Sequence, residues 1–419
     1  MWRNAHHTQN AFYEASFNKE RPMEQCWRWF GPSDPVKLNY IKQAGATGIV
    51  SALHGYKAGV AWSRDDVFKR KEQIEAHGLH WSVCESIPMP SDIKLRSDAF
   101  RTTLANWKDT LVILAEAGVK VVNYNFMPVV DWTRTNLHYP IASGGFALRF
   151  DMVDFVAYDV FVLRRKNAAS DYEAGLVLQA EKRFQSMDEK ALQLLERNII
   201  AGLPGGEDTY NREGIAREIA QFEGVSPDEL RANLAEFIRE MAPVAEELGV
   251  RLGIHADDPP FSLFGLPRVV STADDFRFIL AADPSLSNGI TFCVGSMGAR
   301  PDNNLSALAV EFAPRISFAH LRNTTRESDG SFYEAEHLDG DSDMVKIVFA
   351  LLDEEKRRKA EGRSDSSIPM RPDHGHLLAD DIKKVESGEK VNPGYSYIGR
   401  LKGLAELRGV ICAHAKMTS

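Results

Sequence analysis

With 419 residues, 44% of them apolar and 26% charged, the chain can build one large α/β domain or two ordinary ones, and it is neither disordered nor fibrous in composition. A net charge of −9 leaves no broad basic footprint for a phosphate backbone, which sets nucleic acid aside as a partner. No apolar run reaches the roughly 18 residues of a membrane span, and the polar opening lacks the core of a secretion signal, so a cytoplasmic location is expected.

Taken in chain order, short apolar runs rich in β-branched and aromatic residues alternate with helix-like segments. The first four are CWRWFG (26 to 31), TGIVSALHG (47 to 55), LHWSVCES (79 to 86) and VKVVNYNF (119 to 126). Between the second and third, SRDDVFKRKEQIEAHG (63 to 78) reads as a helix that Ser63 can cap and Gly78 can stop. The interval from about 135 to 232 is too long for one crossover and predicts a largely helical insertion, with GLPGG (202 to 206) as a turn because it lacks the spacing of a phosphate loop. Four more runs follow: VRLGIHADD (250 to 258), ITFCVGS (290 to 296), ISFAHLRN (316 to 323) and SIPMRPDHG (367 to 375). NLAEFIREMAPVAEELG (233 to 249) and DMVKIVFALLDEEKRRKAEG (343 to 362) are further helices. Eight strand-like runs in βα alternation predict a (β/α)8 TIM barrel, an α/β fold.

In such a barrel the C-terminal strand ends share one face, where the chemistry sits. The last four runs end with His255, Cys293, His320 and Asp373. A single strand-end histidine or cysteine is usually a core residue, but two imidazoles, a thiol and a carboxylate at matching positions form a candidate site for a divalent metal. Mixed N, S and O ligation admits Mn²⁺, Fe²⁺ or Zn²⁺. The other cysteines, Cys26, Cys84 and Cys412, are far apart and show no CxxC pairing, which argues against a disulfide scaffold. His374, next to Asp373, is either an acid–base group or a support that orients the aspartate. Arg322 and Arg371 each lie two residues from a candidate ligand and offer a carboxylate grip, with Asn125 beside them; ordinary ion pairing is the bland alternative. In NPGYSYIGR (392 to 400) a tyrosine can lean over the site, but to exchange a proton its ordinary value of about 10 would need lowering by a metal or cation.

The motifs WRWFGPSDPV, QAGATGIVSALHG, AEELGVRLGIHADDPP, TFCVGS, FAHLRN, MRPDHGH and NPGYSYIGRLKGLAELRG together resemble the mannonate dehydratase family, whose fold is a xylose-isomerase-like barrel. The resemblance runs from about Met23 to the C-terminus. Residues 1 to 22 lie outside it and read as an N-terminal extension, with Met23 a natural beginning of its own; residues 23 to 419 then form one catalytic domain. The resemblance implies a metal held by His255, Cys293, His320 and Asp373, either Mn²⁺ or Fe²⁺. It implies His374 as a catalytic residue with Tyr395, and Tyr397 in reserve. The implied reaction is dehydration of D-mannonate to 2-keto-3-deoxy-D-gluconate in glucuronate breakdown, with a small sugar acid as the partner and a homo-oligomer allowed. A metal-dependent isomerase or phosphoesterase on the same barrel, or a sugar-acid binding protein without catalysis, are the rival readings. Such enzymes lean on several carboxylates and often two metals, whereas here one carboxylate joins a thiolate.

Overall fold

The computed structural model describes residues 22–200 and 211–418; of the extension expected at 1 to 22 all but the last residue, and the whole GLPGG turn, lie outside the described residues. The first strands are β1 (Cys26–Arg28), β2 (Gly48–Ser51), β3 (His80–Glu85) and β4 (Val121–Tyr124). The hairpin β5 (Asn136–Pro140) and β6 (Phe146–Phe150) comes next, followed by β7 (Arg251–His255), β8 (Asn288–Cys293) and β9 (Ile316–His320). A second hairpin, β10 (Thr324–Arg326) and β11 (Phe332–Glu334), precedes β12 (Met370–Arg371).

Eight strands pair in parallel in the order β1-β2-β3-β4-β7-β8-β9-β12. The ring closes through a parallel bridge between Gln25 and Met370, supported by the Met370 N–H donating to the Glu24 carbonyl at 2.8 Å. All six residues of β8 and all five of β9 are buried, as expected for strands covered on both faces. The helices between them cap as their sequences require. Ser63 accepts from the Asp66 N–H at the start of Arg64–Glu75, and Gly78, at φ +67°, supplies the left-handed step that ends it. No helix among the described residues is long and apolar enough to cross a membrane.

The insertion differs from expectation at both ends. Its first part is not helical: β5 and β6 join β10 and β11 in an antiparallel sheet of order β10-β11-β6-β5. Its far end overlaps the next crossover helix, which begins at Pro227 rather than at 233, with Ser226 accepting from the Glu229 N–H and proline filling the first turn where no N–H is needed. Between these lie the helices Ala174–Ser186, Glu189–Ile200 and Arg212–Gln221. They build a second apolar cluster around Phe155, Tyr158, Ile199 and Ile215, which takes in Leu263 and Phe264 from the segment after β7.

Candidate metal and acid–base site

Strand register sets the first part of the site. Cys293 pairs with His320 across β8 and β9, and His320 pairs with Arg371 across β9 and β12, so three polar side chains meet at one level of the barrel mouth. His255 ends the neighbouring β7. Its Nδ1 lies 2.6 Å from the Ala256 carbonyl and can only donate there, so once the ring gives up its other proton the lone pair falls on Nε2, 3.2 Å from Nδ1 of His320. The ligand atoms of His255, Cys293 and His320 lie within 4.8 Å of one another. Burial by itself raises the Cys293 thiol, but Arg322 and His255 hold it well below the ordinary thiol range. For His255 burial is the largest influence and lowers it, yet the Cys293 thiolate outweighs it and lifts the imidazole to about 9. Converging lone pairs beside an ionised thiol fit a divalent cation, and this donor set is the metal-binding candidate.

Asp373 stands beside this group: its Oδ2 is 3.7 Å from His320 Nδ1 and 3.9 Å from Cys293 Sγ. It does not sit on the strand. β12 stops at Arg371, Pro372 has no N–H to continue the ladder, and Asp373 adopts φ +66°. The turn therefore comes before Asp373, which lies beyond the strand rather than at its end as the sequence run suggested. Gly375 is required by close approach, since a Cβ there would collide with the backbone of Gly399 and Arg400 at the start of the last helix, Tyr397–Met417.

His374 points back over the barrel mouth. Its Nε2 is 3.2 Å from the Tyr395 hydroxyl, and its Nδ1 is 3.0 Å from Glu334 Oε1. Trp132 meets its ring edge-on with centroids 5.8 Å apart. Tyr395 is 2% exposed. Burial pushes it up to about 12, Arg371 offsetting only part of this, so it stands as a neutral phenol at pH 7, a group with a proton to give. Tyr397 lies elsewhere, its hydroxyl donating to the Tyr40 carbonyl at 3.1 Å.

Both arginines are deep in the site and already engaged. Arg322 gives Nε to Asp373 at 2.6 Å, Nη1 to Glu334 at 2.8 Å, and Nη2 to Asp258 and to Ser296, the latter at 2.8 Å. Arg371 holds Glu85 through Nε at 3.1 Å and Nη2 at 2.6 Å, and Asp373 through Nη1. Every guanidinium nitrogen of the pair thus has a protein carboxylate or hydroxyl as a partner, and both arginines are built into one buried network around the site. Asn125, just past β4, is half-buried and donates to Asp131 at 3.2 Å. Removing one member of such a buried network leaves the others uncompensated, which typically costs about 3–5 kcal/mol. Arg322→Met is therefore expected to lower the urea unfolding midpoint markedly, and an unchanged midpoint would count against the scaffold role.

The match that assigns the chain spans nearly all of it: the family model for D-mannonate dehydratase (UxuA) matches residues 23–419. This chain belongs to the D-mannonate dehydratase family. It is 59% identical over 389 residues to mannonate dehydratase 2 of Agrobacterium fabrum, covering 93% of this chain and 96% of that protein. It is 56% identical over 391 residues to the mannonate dehydratase of Saccharophagus degradans, covering 93% and 98%. The crystal structure of mannonate dehydratase from Streptococcus suis serotype 2 matches with a TM-score of 0.74 at 31% identity, over 95% of this chain and 96% of that one.

In this member of the mannonate dehydratase family the site also contains residues that the motif reading passed over. Glu85 ends β3, 3.5 Å from Nε2 of His320, and is held by Arg28 and Arg371. The strand-end rule that singled out His255 and Cys293 would have found it. Asp258 lies in the quoted HADDPP and pairs with Arg134 at 2.7 Å. Arg134 and Glu334 gave no such signal, because neither lies on a barrel strand. Arg134 reaches Glu334 at 2.8 Å and is fully buried.

Proposed function

We propose that this chain is a carbon–oxygen lyase that dehydrates D-mannonate to 2-keto-3-deoxy-D-gluconate, in the cytoplasm, as a step of glucuronate breakdown. The observation that carries the reading is 59% identity over 93% of the chain to a protein named mannonate dehydratase. An isomerase or phosphoesterase is not favoured, because those rivals have the barrel in common but not this match.

The chemistry requires a proton to leave C2, beside the carboxylate, and the C3 hydroxyl to depart with a proton as water; the enol then takes a proton at C3 and becomes the ketone. His255, Cys293, His320 and Asp373 would hold the metal, Mn²⁺ or Fe²⁺ in this reading. A divalent ion there supplies Lewis-acid stabilisation of the charge that builds on the substrate carboxylate as C2 is deprotonated. His374 and Tyr395 move the protons. Because Tyr395 is held as a phenol, its hydroxyl is the donor and is assigned to the departing C3 oxygen, which leaves His374 Nε2 to take the C2 proton. Arg322 and Arg371 keep Asp373 and Glu85 ionised and aimed, and together with Asn125 they are the residues assigned to the sugar-acid chain. The test is incubation of the Mn²⁺- or Fe²⁺-loaded protein with D-mannonate and assay of the 2-keto-3-deoxy acid, with D-altronate and fructuronate as controls. Turnover of D-mannonate is expected; binding without turnover would instead favour a sugar-acid binding protein.

A further inference from the structure

The MRPDHGH motif carries two histidines, and the reaction described above uses only the first. His376 is 6% exposed, and its Nε2 lies 2.9 Å from the backbone carbonyl of Glu334. Glu334 in turn presents its side chain to His374. The two histidines of the motif therefore grip one residue from opposite ends, and that residue comes from the antiparallel sheet beside the barrel.

We propose that Glu334 is a positioning residue for the dehydration: it accepts the Nδ1 proton of His374 and so holds Nε2 as the nitrogen that faces Tyr395 and the substrate. The proposal rests on the reading of His374 as an acid–base group. The geometry leaves little choice of roles. Glu334 Oε1 already accepts from Arg134 and Arg322, each at 2.8 Å, and two guanidinium groups keep the carboxylate ionised. An ionised carboxylate only accepts, so the third partner of that oxygen, His374 Nδ1, must donate. The ring then has one lone pair, on Nε2, 3.2 Å from the Tyr395 hydroxyl.

The position of the carboxylate is itself built. Phe332 pairs with Phe150 in the sheet and stacks on it, centroids 5.7 Å apart, which fixes β11 against β6. His376 anchors the last residue of β11 through its carbonyl, and Ser396 donates to the His376 carbonyl at 3.0 Å, next to Tyr395. Glu334, His374 and Tyr395 are in this way parts of one hydrogen-bonded frame. Charge balance for Arg134 and Arg322 would require a carboxylate here, but it would not require that carboxylate to touch His374.

The experiment is a double-mutant cycle on the metal-loaded protein. Glu334→Gln should retain metal and KM within about threefold while kcat falls by about 10²-fold, the scale seen when the orienting partner of an active histidine is lost. Added to His374→Asn, the same change should cost less than about twofold, because its target is gone. A wild-type kcat in Glu334→Gln, or a full second loss in the His374→Asn background, would overturn the proposal. If Glu334→Gln does not fold, the wild-type protein still decides it. Two-bond nitrogen–proton correlations of ¹⁵N-histidine, with His374 assigned by its absence from His374→Asn, should show a proton on Nδ1; a bare Nδ1 refutes the assignment. That measurement needs no turnover, so it separates failure of the positioning role from failure of the mannonate reading.

Discussion

Replacing His374 with asparagine is expected to leave a folded protein that still takes up its metal yet turns over D-mannonate about 10²- to 10⁴-fold more slowly, the usual contribution of an acid–base group. The separation is possible because His374 is not among the three converging donors: its two ring nitrogens face Glu334 and Tyr395. Tyr395→Phe should behave the same way, since it removes one oxygen from a fully packed position and leaves the ring in place against Phe30, 4.9 Å away. Tyr397→Phe should keep nearly full activity, because that hydroxyl serves only the Tyr40 carbonyl. Steady-state kinetics together with metal content by elemental analysis reads all three variants. Loss of the metal from His374→Asn would mean that the histidine supports Asp373 instead, and the acid–base pair would have to be redrawn.

Chelation should abolish turnover, and Mn²⁺ or Fe²⁺ should restore it. A second readout avoids activity altogether. A ligand that binds the native state alone stabilises it by about 2.7 kcal/mol at a hundredfold excess over Kd, so metal should raise the melting temperature by several degrees. Cys293→Ala should lose most of that rise. The reason lies in the donor set, where the thiolate is the one ligand that brings both a soft donor and a full negative charge, and Arg322 and His255 hold it ionised. Asp373→Asn should also weaken metal binding, by removing the remaining anionic donor. Full activity in exhaustively metal-free protein would sink the metal assignment.

The part of the site that could be read without a structure is the part that obeys a local rule. Parallel strands bury both faces and deliver their last residues to one end of a barrel, so short apolar runs that end in His255, Cys293 and His320 already announce a cluster. Helix signals worked for the same reason, as at Ser63 and Gly78, where the cap and the left-handed stop are properties of a few neighbouring residues. Asp373 was legible as a group near the cluster but not as a residue beyond the strand, because the turn depends on the left-handed backbone at Asp373 and on how Gly375 packs against Gly399.

What the tertiary structure alone decided is who touches whom across long stretches of chain. The β5–β6 hairpin was hidden inside an interval read as largely helical; besides β5, β6 pairs with β11, some 180 residues on, and strand pairing at that distance leaves no periodic trace. The same pairing brings Glu334 to His374. It also places Arg134 and Arg322 on one carboxylate oxygen. Residue type and spacing left Arg322 and Arg371 open between a carboxylate grip and ordinary ion pairing. Only the folded arrangement surrounds each with buried carboxylates, because whether a guanidinium is available is set by every charge within hydrogen-bond reach of it, and those charges are brought there from four different strands and the loops beyond them.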